Sequence, residues 1–270
     1  MVIRRAVVIC LLATLPVGFS SFDSARGSQA ASWSPDVKAA RHYVRRRRGR
    51  ISFDIIDPRG RERGLHPTRT FPMASTLKVM LLAAYLRRPS VAHRSLHRSD
   101  RRLLVPMIRR SDNVAATRVR DIVGPSALRR LARRAHMRRF HYNPVWGLSR
   151  TSPRDQARFM DHFDRFVPPR HRSFARHQLA HIVPSQRWGI GRLRLPGWRV
   201  YFKGGWGSGS GAVDHQIAFL ESGQSRIALA IFTQSDGSHR YGKQTLRGIA
   251  ARLLRGLPPS GNRLPPSTSR

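Results

Sequence analysis

Trp198-Arg199-Val200-Tyr201-Phe202-Lys203-Gly204-Gly205-Trp206, then Val213-Asp214-His215-Gln216-Ile217-Ala218-Phe219-Leu220, then Ile227-Ala228-Leu229-Ala230-Ile231-Phe232-Thr233: this stretch decides the fold. Three runs rich in β-branched and aromatic residues, separated by Gly and Ser, predict a three-strand antiparallel meander over Trp198–Phe202, Val213–Leu220 and Ile227–Thr233. On its C-terminal side, 243–257 reads as an amphipathic helix. The Pro-, Ser- and Gly-rich tail 258–270 predicts disorder. On its N-terminal side, residues from about 90 to 190 read as helices and loops. Within them, Ser152-Pro153-Arg154-Asp155 is a capping box opening a helix toward Phe163. Before that, Met73 to Leu86 is a strongly apolar helix. Ile51, Phe53 and Ile55 share one face of a strand over 51–57, and Pro58-Arg59-Gly60 turns it into a second short strand over 62–67. Ser34-Pro35-Asp36 reads as an N-cap with proline at the first helical position, opening a helix that runs to Gly49. The expectation is an α+β fold: a five-stranded antiparallel sheet covered on one face by N- and C-terminal helices. A helical lobe over about 72–190 is inserted in it, with a groove between the lobes.

The 270 residues suit one domain of two lobes. The net charge of +37 raises a polyanion partner such as an anionic cell-wall polymer. The dispersal of the arginines favours instead a solvated surface shaped by coding bias. No interleaved aromatic–basic motif points to specific nucleic-acid binding. Arg4 and Arg5 precede an apolar run from Ala6 to Phe19, and Ser28-Gln29-Ala30 follows as a small-residue exit. This predicts a signal peptide over 1–30 and a secreted or cell-envelope protein, with a retained anchor as the alternative. The only cysteine, Cys10, lies in that run, without the small residue expected before a lipid-modified cysteine. The mature domain, 31–257, therefore has no disulfide and no cysteine chemistry. A monomer without metal or cofactor is expected.

Only four of the 51 Lys and Arg residues are lysine: Lys38, Lys78, Lys203 and Lys243. A composition that turns interchangeable lysines into arginine should keep them where a proton must come off, which arginine does not allow. Lys78 stands in Ser75-Thr76-Leu77-Lys78, with Ser75 one turn away on the same helix face. A serine hydroxyl needs a neighbour to take its proton before it attacks. A lysine desolvated by Val79, Met80, Leu81 and Leu82 can do so. Ser111-Asp112-Asn113 comes 36 residues after Ser75, and Lys203-Gly204-Gly205 opens the meander.

These three motifs, in this order, resemble those of class A β-lactamases and penicillin-binding proteins, over roughly residues 34–257. The resemblance implies that Ser75 is acylated by the substrate carbonyl and that Lys78 accepts its proton. Ser111, in the field of Lys203, would pass a proton to the departing nitrogen. Asn113 would orient the substrate amide, and Lys203 would attract a substrate carboxylate. The N–H groups of Ser75 and Trp206, which follows Gly204 and Gly205, would form the oxyanion hole. There are three departures. Gly204 stands where the family has Thr or Ser, which removes a hydroxyl for the carboxylate. The spacing from Ser75 to Ser111 is compact. The segment His141 to Thr151 lacks the glutamate that activates the deacylating water, and the chain's two glutamates, Glu62 and Glu221, lie outside it. His141 is the one titratable candidate there, although a loop histidine is the plainer reading.

The function implied is that of a secreted serine hydrolase that forms an acyl-enzyme with β-lactams and releases it slowly. A D,D-peptidase-like enzyme acting on D-alanyl peptides is an alternative, as is a non-catalytic binder of cell wall or polyanion. Ser185-Gln186-Arg187-Trp188-Gly189-Ile190 could line the groove or be a plain turn. Asp214-His215 offers the partners of a Ser-His-Asp triad with Ser75, but it stands near Ser75 in neither sequence nor motif order.

Overall fold

The structure, a computed structural model, describes residues 33–207 and 212–259. The expected signal peptide, Cys10 and all but the first two residues of the tail lie outside these. The meander runs β5 (Arg199–Gly207), β6 (Val213–Ser222) and β7 (Ser225–Gln234). β7 pairs with β1 (Arg50–Ile56), and β1 with β2 (Glu62–Leu65). All pairs are antiparallel, and the order is β2-β1-β7-β6-β5. β6 is buried over every residue from Val213 to Leu220. Because successive side chains point to opposite faces, both faces of the sheet must be covered. On one face lies α8 (His239–Leu253), whose buried Leu246, Ile249, Ala250 and Leu253 form a helical stripe. Beside it packs α1 (Val37–Arg45). α6 (Pro153–Asp161) covers the other face, where Phe163, just beyond its end, stacks on Phe219 and Phe219 on Tyr201.

Phe71, Met73 and the segment after them lead from the sheet into the helical lobe. α2 (Leu77–Leu86) is apolar all round and buried at every residue, so it forms the axis of that lobe. α4 (Arg98–Arg109) and α5 (Asn113–Arg134) pack on α2. α3 (Pro89–Ala92) links α2 to α4. α7 (Arg172–Ala180) closes the lobe against β5.

Several boundaries differ from those read in the sequence: the apolar helix read from Met73 begins at Leu77, after a 3₁₀ turn, and the last helix ends at Leu253. The first helix starts at Val37, because Asp36 rather than Ser34 caps it: Asp36 Oδ1 accepts from Ala39 N at 2.8 Å. It ends at Arg45, and Gly49, at φ +93°, turns the chain into β1 against the backbone of Gln234 and Asp236. Ser152 caps α6, but the Asp155 carboxylate accepts from Arg139 N at 2.7 Å and so ties down the preceding segment. The last helix starts at His239, capped by Ser238. An unforeseen two-residue pairing joins β3 (Phe71–Pro72) to β4 (Arg150–Thr151). Pro258, read as part of the tail, accepts through its carbonyl from Trp198 Nε1 at 2.8 Å.

Candidate active site

Ser75 sits in a 3₁₀ turn, Ala74–Thr76, at the entrance to α2 and is nearly buried. Its predecessor Ala74 is held at φ +45°, a left-handed conformation that costs a residue with a Cβ on the order of 1–3 kcal/mol and tends to mark functional turns. β5 presses directly on this turn. A Cβ on Gly205 would lie 2.9 Å from both Ser75 N and Thr76 N, so any side chain there would force the strand away from the serine.

Lys78 is the second residue of α2 and is fully buried. Its three donors have three acceptors: the Ser111 carbonyl, Ser111 Oγ at 3.1 Å and Asn113 Oδ1 at 2.8 Å. The i to i+3 spacing suggests a bond to Ser75, but the lysine is directed across to the α4–α5 turn instead. Burial lowers its pKa from 10.5 to about 7, against the pull of the Asp112 charge. The ring of Trp146 covers it, 5.0 Å from Nζ.

Ser111 stands in that turn at φ +57°. Asp112 caps α5 by accepting from Ala115 N at 2.7 Å, which fixes the turn. Lys203, on β5, is also fully buried, and its Nζ donates to Ser111 Oγ at 2.9 Å and to the Gly204 carbonyl at 2.7 Å. Burial, and then the nearby Lys78 charge, hold the Lys203 pKa well below the ordinary lysine value. The structure thus brings Lys78, Ser111, Asn113 and Lys203 into one hydrogen-bonded cluster, with Ser75, Gly204, Gly205 and Trp206 on the elements that bound it.

The segment His141 to Thr151 folds over this cluster. Met73 N donates to the Ser149 carbonyl at 2.7 Å, Trp146 Nε1 donates to Thr117 Oγ1 at 3.1 Å, and Arg120 reaches the Pro144 carbonyl. His141 pairs with Arg150 at the base of this segment, so Trp146, not His141, is the residue delivered to Lys78. Both glutamates are engaged elsewhere. Glu62 holds Arg154 and Arg158 of α6, and Glu221 holds Arg176 and Arg226.

The triad through Asp214-His215 is excluded by strand geometry. His215 Nε2 is 2.8 Å from the Pro72 carbonyl and Nδ1 accepts from Thr233 N at 3.2 Å, so neither nitrogen is left for Ser75. Asp214 points to the opposite face and pairs with His239 Nδ1 at 2.5 Å. Burial lowers the His215 pKa to about 4, which keeps it neutral. Trp188, Trp206 and His239 meet beside Gly204. The sequence left Trp188 open between groove and turn, and gave no sign of His239.

The model of the Beta-lactamase enzyme family matches residues 95–257, more than half of the chain. No curated protein matches. The fold is similar to that of the β-lactamase from Sphaerobacter thermophilus DSM 20745 (TM-score 0.69, 22% identity, covering 87% of this chain and 99% of that one). It is equally similar to the class A β-lactamase from Mycobacterium abscessus (TM-score 0.69, 20% identity, 82% and 98%). An ancestral class A β-lactamase matches likewise (TM-score 0.69, 20% identity, 81% and 98%). These likenesses show a shared fold, and since the family model matches more than half of its length, the chain belongs to the β-lactamase enzyme family.

Proposed function

We propose that this protein is an exported serine hydrolase that takes β-lactams onto Ser75 as an ester and releases them slowly. The observation that carries the reading is the Ser111 hydroxyl, set between two buried lysines beside the Ser75 turn. A hydroxyl oxygen has two lone pairs. Lys78 and Lys203 occupy both, which leaves the Ser111 proton free to be donated into the groove.

Every proton in the acylation step then has a donor and an acceptor. Lys78, in its neutral form, gives up a Ser111 or Asn113 contact and accepts the Ser75 proton. Ser75 Oγ bonds to the acyl carbon. Ser111 donates its proton to the departing nitrogen as the acyl–nitrogen bond breaks, and is resupplied from Lys78. The N–H groups of Ser75 and Trp206 face the developing oxyanion across the gap that Gly205 keeps open; loss of one such donor typically costs about 10²–10³ in rate. The amide nitrogen of Asn113 is left for the substrate.

Release requires an activated water. No carboxylate stands between His141 and Thr151, and Trp146 covers the lysine on that side. Both features favour a long-lived ester. The same features favour a D,D-peptidase-like reading, in which the ester waits for an acceptor other than bulk water. Export rests on the pattern of residues 1–30.

Intact-mass spectrometry after incubation with a labelled penicillin tests the reading. One adduct per chain is expected on the wild type and none on Ser75→Ala. An unmodified wild-type chain would sink it.

A further inference from the structure

Lys203 Nζ lies 5.9 Å from the Trp206 ring, and position 204 beside it has no room for a side chain. A Cβ on Gly204 would stand 2.7 Å from Trp188 Cζ2 and 2.8 Å from Cη2. The indole therefore occupies the space that a residue with a hydroxyl would need. Trp188 is firmly seated. Gln216 of β6 donates through Nε2 to the Trp188 carbonyl at 2.6 Å and accepts through Oε1 from Ile190 N at 2.7 Å. Gly189, at φ +56°, lets the chain pass this close, since a Cβ there would lie 2.0 Å from Gln216 Oε1. Trp206 meets Trp188 edge to face at 5.9 Å and stacks on His239 at 5.6 Å. The accessible faces are those of half-buried Trp206 and of His239, whose side chain is 39% exposed.

The charges at this corner do not suit an anion. Lys203 Nζ spends two of its three donors on Ser111 and Gly204. A cavity of about 120 Å³ next to Trp206 is lined by Gly207, Val213, Asp214, Asp236 and His239, and among the described residues no lysine or arginine lines it. Asp214 and Asp236 are both buried, and Asp236 Oδ1 has no hydrogen-bond partner among the described residues. Burial, and then the neighbouring Asp236, push the Asp214 pKa up to about 8, while Lys243 offsets this in part. Asp214 and His239 sharing one proton form a neutral pair. A carboxylate placed here would face two buried acids and, among the described residues, no lysine or arginine lining the cavity.

We propose that the corner formed by Trp188, Trp206 and His239 receives an uncharged, flat apolar group of the acyl donor, and that the enzyme does not select for a carboxylate there. The inference rests on the acyl-transfer reading above.

The test compares a penicillin with its carboxyl methyl ester. At high salt, where the long-range pull of a chain of net charge +37 on anions is screened, wild type should be acylated by the ester at least as fast as by the acid. In the double variant Trp188→Ala/Gly204→Thr, which keeps the net charge and has room for the hydroxyl, the acid-to-ester rate ratio should rise about tenfold. Trp188→Ala alone should lose about tenfold with the ester, the size of a lost ring contact. A wild-type preference for the acid of tenfold or more, or an unchanged ratio in the double variant, overturns the proposal. Equilibrium binding to Ser75→Ala, read by tryptophan fluorescence, separates the two levels. Tighter binding of the acid defeats this inference alone. Binding of the ester at least as tight as that of the acid, without acylation of the wild type, defeats the acyl-transfer reading alone.

Discussion

Lys78 is where residue chemistry matters most. An arginine could supply the charge, the donors and much of the length, but it does not give up its proton. Burial brings the Lys78 pKa to about 7, so the base form grows as pH rises through neutrality. The second-order rate of acylation should therefore climb with pH, reach half its maximum near 7 and level off above it. Lys78→Arg should flatten that profile and lower the rate by about 10²-fold or more, the usual worth of a placed base. A profile that falls with rising pH, or an arginine variant of wild-type rate, would remove Lys78 from the role. Ser75, Lys78, Ser111 and Lys203 were legible as candidates in the sequence because three short motifs stand in order and two of them hold rare lysines. The resting partners of Lys78 were not. They come from a turn 33 and 35 residues away, and helical spacing only indicated which face Ser75 and Lys78 share.

At the scale of elements, the site is a seam between β5 and the turn before α2, closed on one side by the 141–151 segment. The three long strands announced themselves through runs of β-branched and aromatic residues and through Gly–Ser breaks. β3 and β4, two residues each, are too short to show any period, yet they draw the 141–151 segment to the serine. Caps were legible as residue types but not always as positions, as Asp36 in place of Ser34 shows. Trp146 reaches Lys78 only because Thr117, Arg120 and Met73 anchor the segment, and none of these contacts is local in sequence. The ring helps desolvate the lysine while its π-face favours the cation, and the net lowering indicates that burial dominates. Trp146→Ala should shift the acylation profile to higher pH and shorten the life of the ester by admitting water. An unmoved profile together with an unchanged lifetime would show that the ring does neither.

For the whole molecule, the scarcity of acids shapes both stability and turnover. Against 51 basic residues there are 14 acidic ones, and each of the two glutamates clamps a pair of arginines that joins elements of the fold. Neither is spare for a water. A cavity of about 1030 Å³ opens between α7 and the outer edge of β5, lined by Arg172, Arg176, Arg187 and Arg199 with Glu221 among them; Ser75 does not line it. The two-lobed arrangement was legible from the order of strands, helices and strands. The meeting of Trp188, Trp206 and His239 was not, because they come from three separate segments. The central claim is that this site acylates readily and deacylates poorly. Rapid mixing with a chromogenic cephalosporin tests it most directly. The expected trace is a burst equal to the enzyme concentration followed by a much slower steady rate. Steady turnover from the first instant, with no burst, would contradict it.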